Sequence, residues 1–351
     1  MVGSEMLAFI SEILRKKRIN FTRIESIFSD STFGLLHKPI SRFVVHTEGK
    51  PIKLAVKEVS LTESPESLFR MLYSECSNEP IHLDWFDRHC DYLSMKDMPN
   101  REYNFYVDIQ PRVSEFTPHL WYAYKNQSSL YIIMDDLSDY TNIDKIDFPE
   151  AWEFSYLARA ISDLALVHMR LYGSLSPKED YIYDNVRPFL HEFHSVVSLN
   201  SGINLSEFIF NKGNHFIKKI DQYEAILREE SVVIHNDFNI RNICFSPKTN
   251  YLQIYDWEFI TIGNPMMDIV DFLLSISPAF INARDISKLL SIYCDVQKRI
   301  TLSAAIEMLN ISAMKFAATR MNMYLLCYSK AKYKYIERMY QNLYNILSIF
   351  E

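Results

Sequence analysis

The 351-residue sequence predicts an α+β protein, β-rich in its first part and mainly helical in its second. Three observations predict this. Short apolar runs separated by turn residues fall before about residue 136, and helix-period segments dominate after it. One island of β-like runs interrupts the helical part near 232–255. No Pro-, Gly- or Ser-rich connector separates the parts. The boundary near 136–140 is a change of class that divides the chain into 1–136 and 137–351.

Residues 1–20 read as a helix, with Leu7, Ile10, Ile13 and Leu14 on one face. Phe43–Val45 and Ile52–Val56 read as a hairpin, with Gly49 and Pro51 between them. Residues 61–100 are mixed, with helical patches at Leu68–Tyr73 and Leu83–Leu93. A helix begins near Pro99 and Asn100 and is stopped by Pro111. Leu120–Tyr124 and Leu130–Met134 are strands around an Asn126-Gln127-Ser128 turn. The segment 150–172 is amphipathic, and helical patterns return over 206–228, 283–298 and 301–349. Within the island, Val232–Ile234 and Leu252–Tyr255 are each followed by polar residues. As a strand–loop–strand layout, they are expected to bring both loops to one end of a small hairpin.

Composition removes several function classes. The seven glycines include no G-x-G, no Walker A pair and no G-x-S-x-G elbow. This argues against ordinary dinucleotide enzymes, P-loop ATPases and typical α/β-hydrolases. The formal net charge of −7 does not favour a nucleic-acid partner. No apolar run reaches about 18 residues, so no membrane span is expected. Arg15–Arg18 follow the first apolar run, the reverse of a secretion signal. Five cysteines, none in C-x-x-C, suit free thiols in a reducing cytoplasm. Oligomeric state is not readable from the sequence.

The chemistry concentrates in the island. The first run ends in His235-Asn236-Asp237-Phe238-Asn239-Ile240-Arg241-Asn242, and the second in Asp256-Trp257-Glu258. Phosphoryl transfer from ATP needs one carboxylate to orient or deprotonate the attacking hydroxyl. It also needs hard oxygen ligands for Mg²⁺, which an Asn amide and an Asp carboxylate supply.

In this pattern the chain resembles the aminoglycoside phosphotransferase and choline kinase superfamily of kinase-like small-molecule phosphotransferases. His235-x-Asp237-x-x-x-x-Asn242 is similar to the catalytic loop, and Asp256-Trp257-Glu258 stands at the metal-binding Asp motif. Gly263-Asn264-Pro265-Met266-Met267-Asp268-Ile269 resembles the family's downstream G-x-P-x-x-D-L run. Upstream, Ala55-Val56-Lys57 resembles the phosphate-pairing lysine strand, and Arg101–Tyr106 the helix carrying its glutamate partner. Ile132–Leu137 resembles the strand leading to an adenine-binding hinge, and His168 a structural histidine of the large helix. The resemblance covers roughly residues 20–275 and implies a two-lobed protein kinase-like fold. It implies Asp237 as catalytic residue, with Asn242 and Asp256 on Mg²⁺. Lys57, Glu102, Ser31, Thr32, Asp135 and Leu137 would meet ATP, and a small-molecule hydroxyl would be the acceptor. The Phe28–Gly34 loop holds a single glycine, so hydroxyls and backbone amides would bind phosphate there. Residues 61–100 would be an insertion, which makes Glu66 and Glu75 rivals of Glu102. A nucleotide-binding pseudokinase is the alternative; retention of Lys57, Asp237, Asn242 and Asp256 favours the enzyme.

Other residues have plainer readings beside the functional ones. His235 reads as scaffold and Asp268 as a loop-positioning group. Arg241 reads as a contact within the loop or to phosphate. Glu258 would face a cationic substrate, a second metal or the surface. His191 and His194 lack H-E-x-x-H spacing and read as a helix-surface pair. Tyr324, Tyr328, Tyr340 and Tyr344 read as core packing rather than a cage for a quaternary ammonium group.

Overall fold

The computed structural model describes residues 3–27, 40–61, 98–141, 149–174, 230–318 and 334–349, together with 212, 215–216, 218–220, 222–223, 320–321 and 324. Ser31, Thr32, Glu66, Glu75, His191, His194, Tyr328 and the two helical patches of the 61–100 region lie outside the described residues.

The first part is one antiparallel sheet. Strands β1 (Arg23–Ile27), β2 (Ile40–His46), β3 (Ile52–Ser60), β4 (Leu120–Lys125) and β5 (Ser129–Asp135) lie in the order β1-β2-β3-β5-β4. The two expected hairpins are present; β1, which alternates too weakly to be read, adds an edge. Alternation along the strands decides what each face does. Leu54, Val56, Tyr131 and Ile133 pack under helix α1 (Gly3–Lys16), against Met6, Ile10, Ile13 and Leu14. Val59, Leu130 and Ile132 face the opposite way, into the main core. Lys57 shares the parity of Val59, so β3 presents its ammonium on the face turned toward the rest of the molecule.

Helix α2 (Met98–Asn104) is the next described element. The expected helix does not run unbroken to Pro111. It opens into a π-turn over Phe105–Ile109 and tightens to a 3₁₀ turn at Gln110–Arg112, where Pro111 has no N–H to continue an α-helix.

The second part is helical around two small strand pairs. Helix α3 (Phe154–Leu171) packs on α5 (Ala283–Gln297). The expected hairpin of Val232–Ile234 with Leu252–Tyr255 is not formed. Strand β6 (Val232–Ile234) pairs with β9 (Thr261–Gly263), and β7 (Ile243–Phe245) pairs with β8 (Leu252–Ile254). The reason is local. Ser246, Asn250 and Tyr251 close a tight turn, through Ser246 N to Tyr251 O at 2.9 Å and Asn250 N to Ser246 O at 2.8 Å, so β8 takes its nearest neighbour in the chain.

Helix α4 (Met266–Ser275) is buried at every residue, which marks it as the axis of the core rather than a surface helix. Around it stand α6 (Leu302–Ala318) and α7 (Lys334–Ile349), so the expected helical stretch 301–349 contains two named helices. The carbonyls at the end of α4 have no partners within the helix. Asn342 of α7 supplies one, its amide donating to Leu273, Leu274 and Ile276 at 3.0–3.1 Å. Replacing Asn342 with Leu leaves these buried acceptors without their side-chain donor. We expect a loss of about 2 kcal/mol in denaturant-unfolding stability. Among the described residues, no single helix is long and apolar enough to cross a membrane.

Candidate active site

The loop His235–Asn242 joins β6 to β7 and is held from below by α4. Asp268 is fully buried. Its Oδ1 accepts Asn236 N–H at 2.7 Å, and its Oδ2 accepts His235 N–H at 2.8 Å. The same Oδ2 lies 3.1 Å from His168 Nε2, and His168 Nδ1 lies 2.9 Å from the Tyr293 hydroxyl. One relay therefore runs from α5 through α3 and α4 to the loop. Asn236 sits at φ 59°, a left-handed conformation that Asn tolerates better than most residues. This turns Asp237 out of the loop.

His235 is scaffold. Its Nε2 donates to the Tyr255 carbonyl at 2.9 Å and its Nδ1 accepts Asp237 N–H at 3.2 Å, so both ring nitrogens are engaged. Asn242 N–H donates to Asn239 O, while Asn242 O accepts Tyr255 N–H at 3.0 Å. The catalytic-type loop and the Asp256 segment thus converge through Tyr255, although their flanking strands do not pair with each other. Arg241 makes its loop contact through Nε to Asn239 Oδ1 at 3.2 Å, and its guanidinium lies over Tyr335, 5.4 Å from the ring centre. Burial opposes the Arg241 charge, but Tyr324, Asp237, Tyr335 and Asp271 raise its pKa further.

The second cluster lies across the sheet–helix junction. Asp256 is also left-handed, at φ 66°. Trp257 stacks on Phe105 of the π-turn, with ring centres 3.9 Å apart and planes 11° apart. This contact ties α2 to the Asp256 segment. Lys57 Nζ is 2.7 Å from Glu102 Oε2, 2.5 Å from Asp256 Oδ1 and 3.7 Å from Glu258 Oε2. Burial works against the ammonium charge. The fields of Asp256, Glu102 and Glu258, with the Asp256 hydrogen bond, outweigh it and hold the Lys57 pKa well above the ordinary lysine value. Glu258 is buried in this cluster rather than placed on the surface.

The oxygens of Glu102, Asp256 and Glu258 lie within 4.8 Å of one another. Asn242 donates its amide nitrogen to Asp237 Oδ2 at 2.7 Å, which leaves its amide oxygen as the acceptor end. The donor set is all hard oxygen and fits Mg²⁺ better than a soft metal.

In the hinge candidate, Asp135 receives Trp121 Nε1–H on its carboxylate at 2.6 Å and donates its own N–H to His119 O at 3.0 Å. Leu137 opens a 3₁₀ turn in which the Asp136 carboxylate accepts the Ser138 N–H at 2.9 Å. The side chain of Asp135 is therefore engaged within the protein.

Sequence reading missed Arg320. It lies beyond α6 and reaches 83 positions back to Asp237, with Nη2 2.7 Å from Asp237 Oδ1. It also missed Asp271, one turn after Asp268 on α4 and 2.8 Å from Arg320 Nη1. The signal for Asp271 was an acid in an otherwise apolar run; Arg320 carried none. Of the C-terminal tyrosines, Tyr324 stacks with Phe316 at 6.3 Å and is buried, which is core packing.

Residues 213–290 match the sequence model of the Phosphotransferase enzyme family. A 46-residue stretch is 44% identical to acyl-CoA dehydrogenase family member 11 of Homo sapiens and of Pongo abelii. It covers 13% of this chain and only 6% of the length of those curated relatives. Three solved structures share the fold. The choline kinase LicA from Streptococcus pneumoniae has a TM-score of 0.52 at 12% identity, over 98% of this chain and 99% of that one. A choline/ethanolamine kinase family protein from Mesorhizobium loti has a TM-score of 0.52 at 13% identity, over 100% and 95%. The Plasmodium vivax ethanolamine kinase has a TM-score of 0.50 at 12% identity, over 96% and 87%. The chain has the two-lobed kinase-like fold, and its residues 213–290 are similar to the Phosphotransferase enzyme family.

Proposed function

We propose that this protein is an O-phosphotransferase that moves the γ-phosphoryl of Mg·ATP to a hydroxyl of a small molecule. The observation that carries the reading is the convergence of two separate segments. Asp237 and Asn242 stand in a loop that Asp268 holds at His235 and Asn236, and this loop is joined through Tyr255 to the Asp256 segment, where Lys57 of the sheet meets Glu102. In this reading the small lobe is 1–136, with the insertion, and the catalytic lobe is 137–351.

Lys57 orients the α- and β-phosphates and is itself fixed by Glu102. The backbone at Asp135 and Leu137 meets the adenine, and Ser31 and Thr32 contact phosphate. Asp256 and Asn242 are the Mg²⁺ ligands. These two residues would hold Mg²⁺, which would supply positive charge to offset that of the phosphates. Asp237 accepts the proton of the acceptor hydroxyl. The freed oxygen bonds to the γ-phosphorus as the bond to the β–γ bridging oxygen breaks, and ADP leaves. The chain contributes positioning and charge more than covalent chemistry. The acceptor classes that suit this chemistry are amino alcohols, aminoglycoside-like antibiotics and other hydroxy metabolites.

The test is ADP release from Mg·ATP across choline, ethanolamine, aminoglycosides, sugars, nucleosides and simple hydroxy metabolites. Acceptor-dependent release supports the enzyme. Nucleotide binding that is indifferent to Mg²⁺, with no release for any acceptor, supports the pseudokinase instead. Lys57→Met is expected to lower turnover by at least about 100-fold and to weaken nucleotide binding, read by titration with ADP. Unchanged ADP affinity would remove Lys57 from the phosphate site.

A further inference from the structure

We propose that Arg320 is a positioning residue for phosphoryl transfer, fixing the carboxylate of Asp237 from the acceptor side of the loop. The proposal rests on the reading of Asp237 as the residue that meets the acceptor hydroxyl. One guanidinium makes three contacts. Nη2 donates to Asp237 Oδ1 at 2.7 Å, and Nη1 donates to Asp271 Oδ2 at 2.8 Å and to the Asn236 carbonyl. Its plane is further confined by Phe259 and Phe316, whose ring centres lie 5.5 and 5.6 Å away.

The three contacts complete a clamp. Asp268 and Asp271 stand one turn apart on α4, so they share a face of that helix. Asp268 takes the N–H groups of His235 and Asn236 directly. Asp271 reaches the other side of Asn236 through Arg320, which binds the Asn236 carbonyl and the carboxylate of the next residue. With Asn242 on Oδ2, the Asp237 side chain is held at both oxygens. An Arg does this where a Lys would not, because a planar fork spans several acceptors in fixed directions.

A role in stability alone accounts for this arrangement poorly. Taking a guanidinium and two carboxylates out of water is costly, and such buried ion groups are weak stabilisers against apolar packing. What the group does supply is orientation at one oxygen of Asp237.

Arg320→Ala, Arg320→Lys and Asp237→Ala would be compared in the full chain by kcat, by KM for ATP and by thermal unfolding. Arg320→Ala is expected to lose about 100-fold in kcat while KM for ATP stays within about twofold, since Lys57 and Glu102 are untouched. Millimolar guanidinium should restore part of the lost kcat of Arg320→Ala, which a purely structural loss would not allow. Arg320→Lys should stand between Ala and wild type, and it decides the matter if the Ala variant does not fold. Wild-type kcat in Arg320→Lys together with no rescue of Arg320→Ala by guanidinium would overturn the proposal, as would a rise in kcat on removing the arginine. Full activity of Asp237→Ala would instead defeat the reading of Asp237. An inactive Asp237→Ala beside a fully active Arg320→Ala defeats the positioning role alone.

Discussion

Asp237→Ala is expected to lower acceptor-dependent ADP release by about 10²–10⁴-fold, the range for removing a positioned general acid or base. That corresponds to about 3–5 kcal/mol of transition-state stabilisation. Nucleotide affinity should persist, because the contacts of Lys57 are to Glu102, Asp256 and Glu258 and none is to Asp237. The fold should persist as well. Arg320 keeps Asp271 and the Asn236 carbonyl when Asp237 is removed, so its charge is not stranded. Single-turnover measurements with saturating ATP separate the two effects. A kcat loss with unchanged ADP binding supports the proton-accepting role; wild-type turnover sinks it.

Asp268→Ala should produce the largest loss of stability, about 3–5 kcal/mol in chemical unfolding. The carboxylate is fully buried and takes the His235 and Asn236 amides, with His168 Nε2 beside Oδ2. Its removal leaves those buried donors without the acceptor they use. Asp268→Asn keeps the shape but offers one acceptor oxygen where two are used, so it should fall between Ala and wild type. Both variants should also lose turnover, because the left-handed Asn236 that turns out Asp237 is anchored by this group. A variant as stable as wild type would show that the loop is held by other contacts.

The catalytic-type loop was legible because its chemistry is local. His235, Asp237, Arg241 and Asn242 lie within one short loop, and Asp256 follows after one tight turn. Lys57 was legible only through the resemblance of Ala55-Val56-Lys57 to the phosphate-pairing lysine strand; the structure adds that alternation along β3 puts it on the face opposite Leu54 and Val56. Asp268 was legible as a structural acid from the run around it. Helix α4 was harder to see as a helix, because it spans only ten residues and even its polar face, with Asp268 and Asp271, is buried.

By itself the sequence determined the fold class, the order of the two parts and the residue types of the candidate site. These follow from periodicity and spacing, which act over a few residues. Tertiary structure alone decided which partners those residues take. Glu102 meets Lys57 across a stretch of chain that no local pattern bridges. Lys57 meets Asp256 from 199 positions away, and Arg320 meets Asp237 from 83. It also decided that β6 pairs with β9 while β7 pairs with β8. The physical reason is the same in each case. A buried charge takes whichever opposite charge the packing of distant helices and strands brings within reach, and no local pattern in the chain encodes that distance.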